Sequence, residues 1–228
     1  VPGVPPDHPK VTMFATSLGT DGAELRPLQP WHAGEFLAHV DRGREFIGRF
    51  NGLPDVVKDL AAARSFLTAY AEKETADAGL IRGIRLDGTL VGAVILRRMD
   101  VPQGTAEAGC WLEPAAVGRG LVTRSARLLV DWAIRERGIH RVEWWVSAGN
   151  APSIAVARRL GMRKEAVLRE SYRYRGERHD EEIWSVLAPE WRGGAGARTD
   201  AGTDDAGTGE AAARTDAGAG ERVPRAGA

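Results

Sequence analysis

Residues 112–132 read LEPAAVGRGLVTRSARLLVDW, and the fold turns on how that stretch is read. An apolar run with Ala108, Cys110, Trp111 and Leu112 stops at Glu113 and Pro114. A loop with two glycines follows, Gly118 and Gly120. Leu121, Ser125, Leu128, Leu129 and Trp132 then recur at helical spacing. Strand, glycine loop and helix in that order make an anion-binding geometry. The N–H groups of the first helical turn lack partners within the helix and converge where its dipole is positive. Glycine leaves room for a phosphate where a side chain would stand. Arg119 and Arg124 add positive charge beside those amides.

Working outward, residues 79–86 and 89–97 read as strands joined by a tight turn at Asp87-Gly88. A second turn over 100–105 leads to a strand over 107–112, so three strands in series form an antiparallel meander. After the helix, Gly138 is a natural stop. Residues 140–147 then alternate, with Val142, Trp144 and Val146 on one face. One strand precedes the helix and one follows it, so 107–147 is a βαβ unit with parallel or near-parallel strands. Residues 150–160 read as a short helix with Asn150 as N-cap, Pro152 in the first turn and Gly161 after its end. A closing hairpin spans 167–174 and 180–187, with its turn at Arg175-Gly176-Glu177, and Pro189 ends the domain. Toward the N-terminus, a strand is expected near 23–28 and helical pattern over 31–40. Residues 42–51 read as loop or short helix. A further helical region covers 53–74, with Val56, Val57, Leu60, Phe66, Leu67 and Tyr70 on its apolar side.

The chain has 228 residues, 43% of them hydrophobic, enough for one domain with a substantial core. Lys plus Arg and Asp plus Glu both number 31, so no basic field exists to hold nucleic acid. Cys110 is the single cysteine, which excludes an internal disulfide and a multi-cysteine metal site. The apolar runs are too short to span a bilayer, and the first residues do not read as a secretory signal. The expectation is a cytoplasmic protein without membrane or metal. Residues 1–10 hold four prolines and read as a flexible arm. Residues 11–191 form the domain. The tail, 192–228, is Gly-, Ala-, Thr- and Asp-rich and repeats RTDAG, so it is expected to be disordered.

These motifs in this order resemble the GNAT superfamily of acetyl-CoA-dependent N-acetyltransferases. The closing LRESYRYRGERHDEEIWSVL is similar to its RimJ/RimL ribosomal-protein branch. The resemblance implies an α+β fold: a mixed, mostly antiparallel central sheet flanked by helices, with two strands splayed to admit acetyl-CoA. It implies pyrophosphate on the amides of Gly118, Arg119, Gly120, Leu121, Val122 and Thr123. The backbone of Leu112 and Glu113 would pair with the pantetheine arm, and Asn150 would hydrogen-bond it. The family signature has Gln or Arg where Val117 stands and Gly or Ala where Val122 stands, while Gly120 matches.

The chemistry of acetyl transfer needs a neutral amine, a donor for the developing oxyanion and a proton for the leaving thiolate. Ser153 aligns with a serine that RimL-type enzymes place near the coenzyme sulfur, and is the candidate acid; its alternative role is to satisfy a helix N–H. Tyr172 and Tyr174 are alternative acids, and Tyr172 stands where the RimL-type pattern has glutamate. Glu107 is the first candidate base and Glu143 the second, against a role as solvated strand carboxylates. Trp144 and Trp145 read as packing residues, at most one of them walling the cleft. His179-Asp180 resembles a family pair in the last hairpin, with structural hydrogen bonding as its role and substrate contact as the alternative. The amine would enter between the N-terminal helices and the closing hairpin. The implied acceptor is a protein N-terminal amine, taken by direct transfer in a ternary complex. A small-molecule amine (polyamine or antibiotic) and a non-catalytic acetyl-CoA-binding module are the alternatives, and relatives make a homodimer an option. A nucleotide-binding loop is disfavoured, because the glycines are followed by no Lys-Ser/Thr and no third glycine.

Overall fold

The structure is a computed structural model that describes residues 15–195. The expected arm over 1–10 and almost all of the expected tail lie outside those residues. The strands are β1 (Thr16–Ser17), β2 (Ala23–Pro27), β3 (Leu80–Leu86), β4 (Thr89–Asp100), β5 (Thr105–Leu112), β6 (Arg141–Ser147), β7 (Arg163–Tyr174) and β8 (Glu177–Leu187). They form one sheet in the order β1-β2-β3-β4-β5-β6-β8-β7. Every neighbouring pair is antiparallel except β5 and β6, so the sheet is mixed and mostly antiparallel, as the sequence implies. Asp87 and Gly88 hold φ of 49° and 80°, which reverses the chain between β3 and β4 in two residues.

Helices cover both faces: α1 (Ala33–Ile47), α2 (Leu53–Val56), α3 (Leu60–Thr75), α4 (Leu121–Glu136) and α5 (Ala151–Arg159). Two apolar cores result. Ala106, Ala108, Cys110 and Leu112 join α4 and α5 in one; Trp111 joins α1 and α3 in the other. Burial on both faces explains why β5 shows no polar alternation. No helix among the described residues is long and apolar enough to cross a membrane.

The helical boundaries differ from expectation at two places. Residues 42–47 continue α1, because His39, Val40, Gly43, Phe46 and Ile47 extend its buried stripe. Gly43 interrupts the apolar pattern yet suits the packing, since a Cβ there would stand 3.3 Å from Glu113 Cβ. The region 53–74 is two helices, not one. Asp59 caps α3 by accepting from the Ala62 N–H at 2.8 Å, and Val56 and Leu60 are exposed rather than on the apolar side. On α4 the buried stripe is Leu121, Val122, Ser125, Ala126, Leu129, Val130, Ala133 and Ile134. Leu128 and Trp132 only pack at its margin, because two alanines share the contact. The closing hairpin also starts earlier, at Arg163, since β7 is an exposed edge strand with bulges and has no face to pattern.

One buried polar cluster joins the helical layer to the sheet. His39 of α1 is fully buried, and its Nε2 accepts from Trp111 Nε1 at 3.1 Å. The ring proton therefore resides on Nδ1, which points at Glu113 Oε2 from 3.9 Å, too far for a hydrogen bond. Arg42 grips the same carboxylate at 2.9 and 3.3 Å and also donates to the Leu90 carbonyl. Burial holds His39 below the ordinary imidazole value, against the pull of Glu113 and with the push of Arg42. A proton on Nε2 would also break the indole bond. The folded pKa lies below the unfolded one, so the unfolded chain takes the proton first and stability is lost as pH falls below about 6.5. The loss is read as a fall in melting temperature between pH 7 and pH 5. His39→Gln keeps an acceptor for Trp111 and should flatten most of that slope. His32, whose pKa burial also lowers, supplies a residual slope. An unchanged slope in the variant would place the titration elsewhere.

Candidate active site

The two parallel strands part company halfway along. Ladder pairs join Thr105 to Arg141, Ala106 to Val142, Glu107 to Glu143 and Ala108 to Trp144, and then stop. β5 stays with β4 as far as Leu112, opposite Gly92, while β6 stays with β8 as far as Ser147, opposite Glu181. Residues 109–112 and 145–147 thus face each other across a gap in the sheet. Because the strands are parallel, the gap opens at the C-terminal ends of both, where crevices in such sheets take ligands.

The glycine loop stands at the mouth of that gap. Glu113 leads into a 3-10 turn over Pro114–Ala116, and α4 begins after Gly120. Gly118 and Gly120 hold φ of 85° and 65°, and a Cβ on either would meet nothing within 4 Å. Both the backbone conformation and the open space suit a bulky anion against the main chain. The first intrahelical bond is Arg124 N–H to Gly120 O at 3.0 Å. Among the described residues no side chain caps α4, and no acidic residue lies in its first turn. The amides of Leu121, Val122 and Thr123 therefore keep their donors.

The two loop arginines differ. Arg124 turns away to Asp21 at 2.6 and 3.0 Å, to the Leu18 carbonyl, and to the Arg119 carbonyl at 2.9 Å. Its hydrogen bond holds the Asp21 carboxyl down at about 2. Its charge is balanced by that partner, and its contribution is to pin the loop backbone to the β1–β2 turn. Arg119 is exposed and makes no ion pair among the described residues, so it supplies the net charge.

Across the gap, Asn150 and Ser153 follow β6. Asn150 is fully buried; its Oδ1 accepts from the Ser153 N–H at 3.2 Å and so caps α5. Its Nδ2 is buried without a partner among the described residues. A buried donor left unmatched is costly unless a ligand meets it, and this one fits the amide groups of a pantetheine arm. Ser153 is 1% exposed. Its Oγ does not cap the helix; it accepts from Trp144 Nε1 at 2.9 Å, which leaves its own proton available.

Other candidates lie further off. Glu107 is buried on the paired part of β5, five residues and roughly 17 Å along the strand from Leu112. Arg98 holds one of its oxygens at 2.8 and 3.1 Å, and Arg97 lies 3.4 Å from the other. Glu143 pairs with it in register and accepts from Arg141 Nε at 2.7 Å and Trp145 Nε1 at 2.8 Å. Tyr172 stacks on His179, with ring centroids 5.3 Å apart. Asp180 accepts from the Glu170 N–H, a local bond within the hairpin. Tyr174 donates to the Gly48 carbonyl at 2.7 Å and lies 3.1 Å from that of Asn51. The structure thus gathers 112, 113, 118–123, 150 and 153 at one end of the gap. It sets Glu107 and Glu143 below it, and Tyr172 beyond β8.

The His39–Glu113–Arg42 cluster has no signal in the sequence. A histidine on the apolar face of a helix reads as packing, and the Glu113 side chain is hidden behind the role of its backbone.

Residues 23–163 match the family model described as acetyltransferase (GNAT) domain. The chain is 27% identical over 170 residues to "Putative ribosomal N-acetyltransferase YdaF" of Bacillus subtilis (strain 168), covering 74% of this chain and 93% of the relative. It is 30% identical over 172 residues to "Probable N-acetyltransferase YjcK" of the same organism, covering 73% and 94%. Among solved structures, RimL, a ribosomal L7/L12 alpha-N-protein acetyltransferase in complex with coenzyme A, superposes with a TM-score of 0.72 at 19% identity. It covers 76% of this chain and 97% of its own.

Proposed function

The chain belongs to the GNAT acetyltransferases, enzymes that take acetyl-CoA as co-substrate, and from that premise we propose that it acetylates a protein N-terminal amine by direct attack in a ternary complex. The observation that carries the reading is the gap between β5 and β6 with a glycine-opened helix N-terminus at its mouth. The likeness to YdaF, whose name describes a ribosomal N-acetyltransferase, supports the acceptor class.

The roles follow from placement. The amides of residues 118–123 and the Arg119 guanidinium hold the diphosphate. The backbone of Leu112 and the Nδ2 of Asn150 hold the arm; the expected pairing through Glu113 does not hold, because its N–H is taken by the Val91 carbonyl at 2.9 Å. The amine nitrogen attacks the thioester carbon, the C–S bond breaks, and Ser153 Oγ–H supplies the proton that the thiolate takes. The amine loses its proton toward the face that carries Glu107, Glu143 and Trp111. Both carboxylates have their oxygens engaged at rest, so a water relay to Glu107 is the arrangement we assign. Tyr172 is the alternative proton donor for the thiolate. No covalent intermediate on the protein is needed, because holding both reactants together supplies much of the rate.

The test is acetyl-CoA consumption against peptides of varied N-terminus, polyamines and aminoglycosides. Peptide amines should be turned over with the highest kcat/KM. Turnover confined to polyamines or aminoglycosides would replace the acceptor assignment. Coenzyme binding without turnover on any amine would leave only a binding module.

A further inference from the structure

The gap between the N-terminal helices and the closing hairpin, where an acceptor would enter, is bridged. Tyr174, at the tip of the hairpin, donates its hydroxyl to the Gly48 carbonyl at 2.7 Å, 126 residues away in sequence. The Asn51 carbonyl lies 3.1 Å from the same oxygen. Burial raises the Tyr174 phenol above its ordinary value, so it keeps the proton it donates. Gly48 permits the approach. A Cβ on it would stand 2.8 Å from an Arg175 guanidinium nitrogen and 2.7 Å from the Arg44 carbonyl. Asn51 is fully buried, and its Oδ1 accepts from the Leu53 N–H at 2.8 Å where α2 begins, so the segment after the tie is also fixed. On the other side, the Phe50 ring packs 3.8 Å from where a Gly149 Cβ would be. Gly149 immediately precedes Asn150, which carries the unmatched donor. The segment over 48–52 therefore spans from the hairpin tip to the β6–α5 turn, across the end of the sheet where Asn150 and Ser153 lie.

From these contacts we propose that residues 48–52, fastened by Tyr174, form an arch through which the acceptor must be threaded end-on, which makes Tyr174 a specificity-determining residue. This rests on the N-terminal acceptor assignment and deepens it. The arch admits an amine at the end of a slender, extended segment. It rejects acceptors whose girth is large just behind the amine. Tyr174 acts through the loop it holds and takes no part in proton transfer, because its hydroxyl is engaged with the Gly48 and Asn51 carbonyls.

The experiment uses the full chain and two peptides that share a first residue. In one, the second and third residues are glycine; in the other they are tryptophan and isoleucine. Wild type should prefer the slender peptide at least tenfold in kcat/KM. Tyr174→Phe removes one donor and no packing volume, and should shrink that preference about tenfold through a lower KM for the bulky peptide. Amide exchange over 48–53 should quicken in the variant at unchanged melting temperature. An unaltered preference, or a parallel loss of kcat on both peptides, would overturn the proposal and make the tie merely structural. If wild type acetylates neither peptide while binding acetyl-CoA, the N-terminal acceptor assignment fails by itself. The arch is then decided by the same comparison between an unbranched and an α-branched alkylamine, together with the exchange rates. Unchanged exchange would sink it.

Discussion

Gly120→Val should weaken acetyl-CoA binding at least about 100-fold, roughly 2.7 kcal/mol, while the fold survives. Two effects add. Position 120 holds φ of 65°, a conformation that costs an ordinary side chain roughly 1–2 kcal/mol and a β-branched one more. The backbone would move toward negative φ, and the amides of the first turn of α4 would no longer converge. The valine methyls would also fill the space that Gly120 leaves open, where a Cβ meets nothing within 4 Å. Because that space faces no protein atom, the core is untouched, and melting temperature should fall only by the backbone term. Titration calorimetry with acetyl-CoA reads the effect. Undiminished affinity would mean that the diphosphate binds somewhere other than this loop.

Ser153→Ala should lower kcat by about 10²–10³-fold with little change in KM for acetyl-CoA. The hydroxyl proton is the one the leaving thiolate would take, and the side chain makes no other donation among the described residues. A control is needed because Ser153 Oγ also accepts from Trp144 Nε1. Alanine would leave that buried indole donor unmatched, at a cost of about 1–3 kcal/mol. Trp144→Phe removes the indole bond and leaves the hydroxyl, so it should keep most of the turnover despite a loss of stability. Equal losses of kcat in both variants would show that the serine matters only as an anchor for the indole. Wild-type rates in Ser153→Ala would move the proton donor to Tyr172.

Much of this was legible in the sequence because the βαβ unit is built from local signals. The apolar run before Glu113, the paired glycines and the alternation of Val142, Trp144 and Val146 each fix one element. Chain order then leaves few ways to connect them. The divergence of β5 and β6 was expected only through the family resemblance. Nothing in the residues over 109–112 states that their neighbour departs. The N-terminal half was read less well. Residues 42–51 read as loop or short helix, whereas the missing side chain at Gly43 is what brings α1 against Glu113. Within 53–74 the break between α2 and α3 is set by Asp59, whose side chain caps α3. The contacts of longest range were out of reach. Tyr174 to Gly48, His39 to Trp111 and Arg124 to Asp21 join residues between 72 and 126 positions apart, and single-sequence patterns carry no information at that separation.

A sheet interrupted from within has an interior edge. Edges elsewhere in proteins are hidden, shortened or charged, because unpaired main-chain groups recruit whatever extended chain is at hand. Here the ladders on either side run on to Leu112 and Ser147, so the opening is held by the two outer pairings and cannot heal through rearranged side chains. A molecule that lies along the opening with amides of its own would complete the hydrogen-bonding pattern as a missing strand does. Such a molecule binds the native state alone, and at one hundred times its dissociation constant it adds about 2.7 kcal/mol of stability. The empty protein and the charged one should therefore melt as measurably different species, and the unladen form is the more vulnerable to proteolysis.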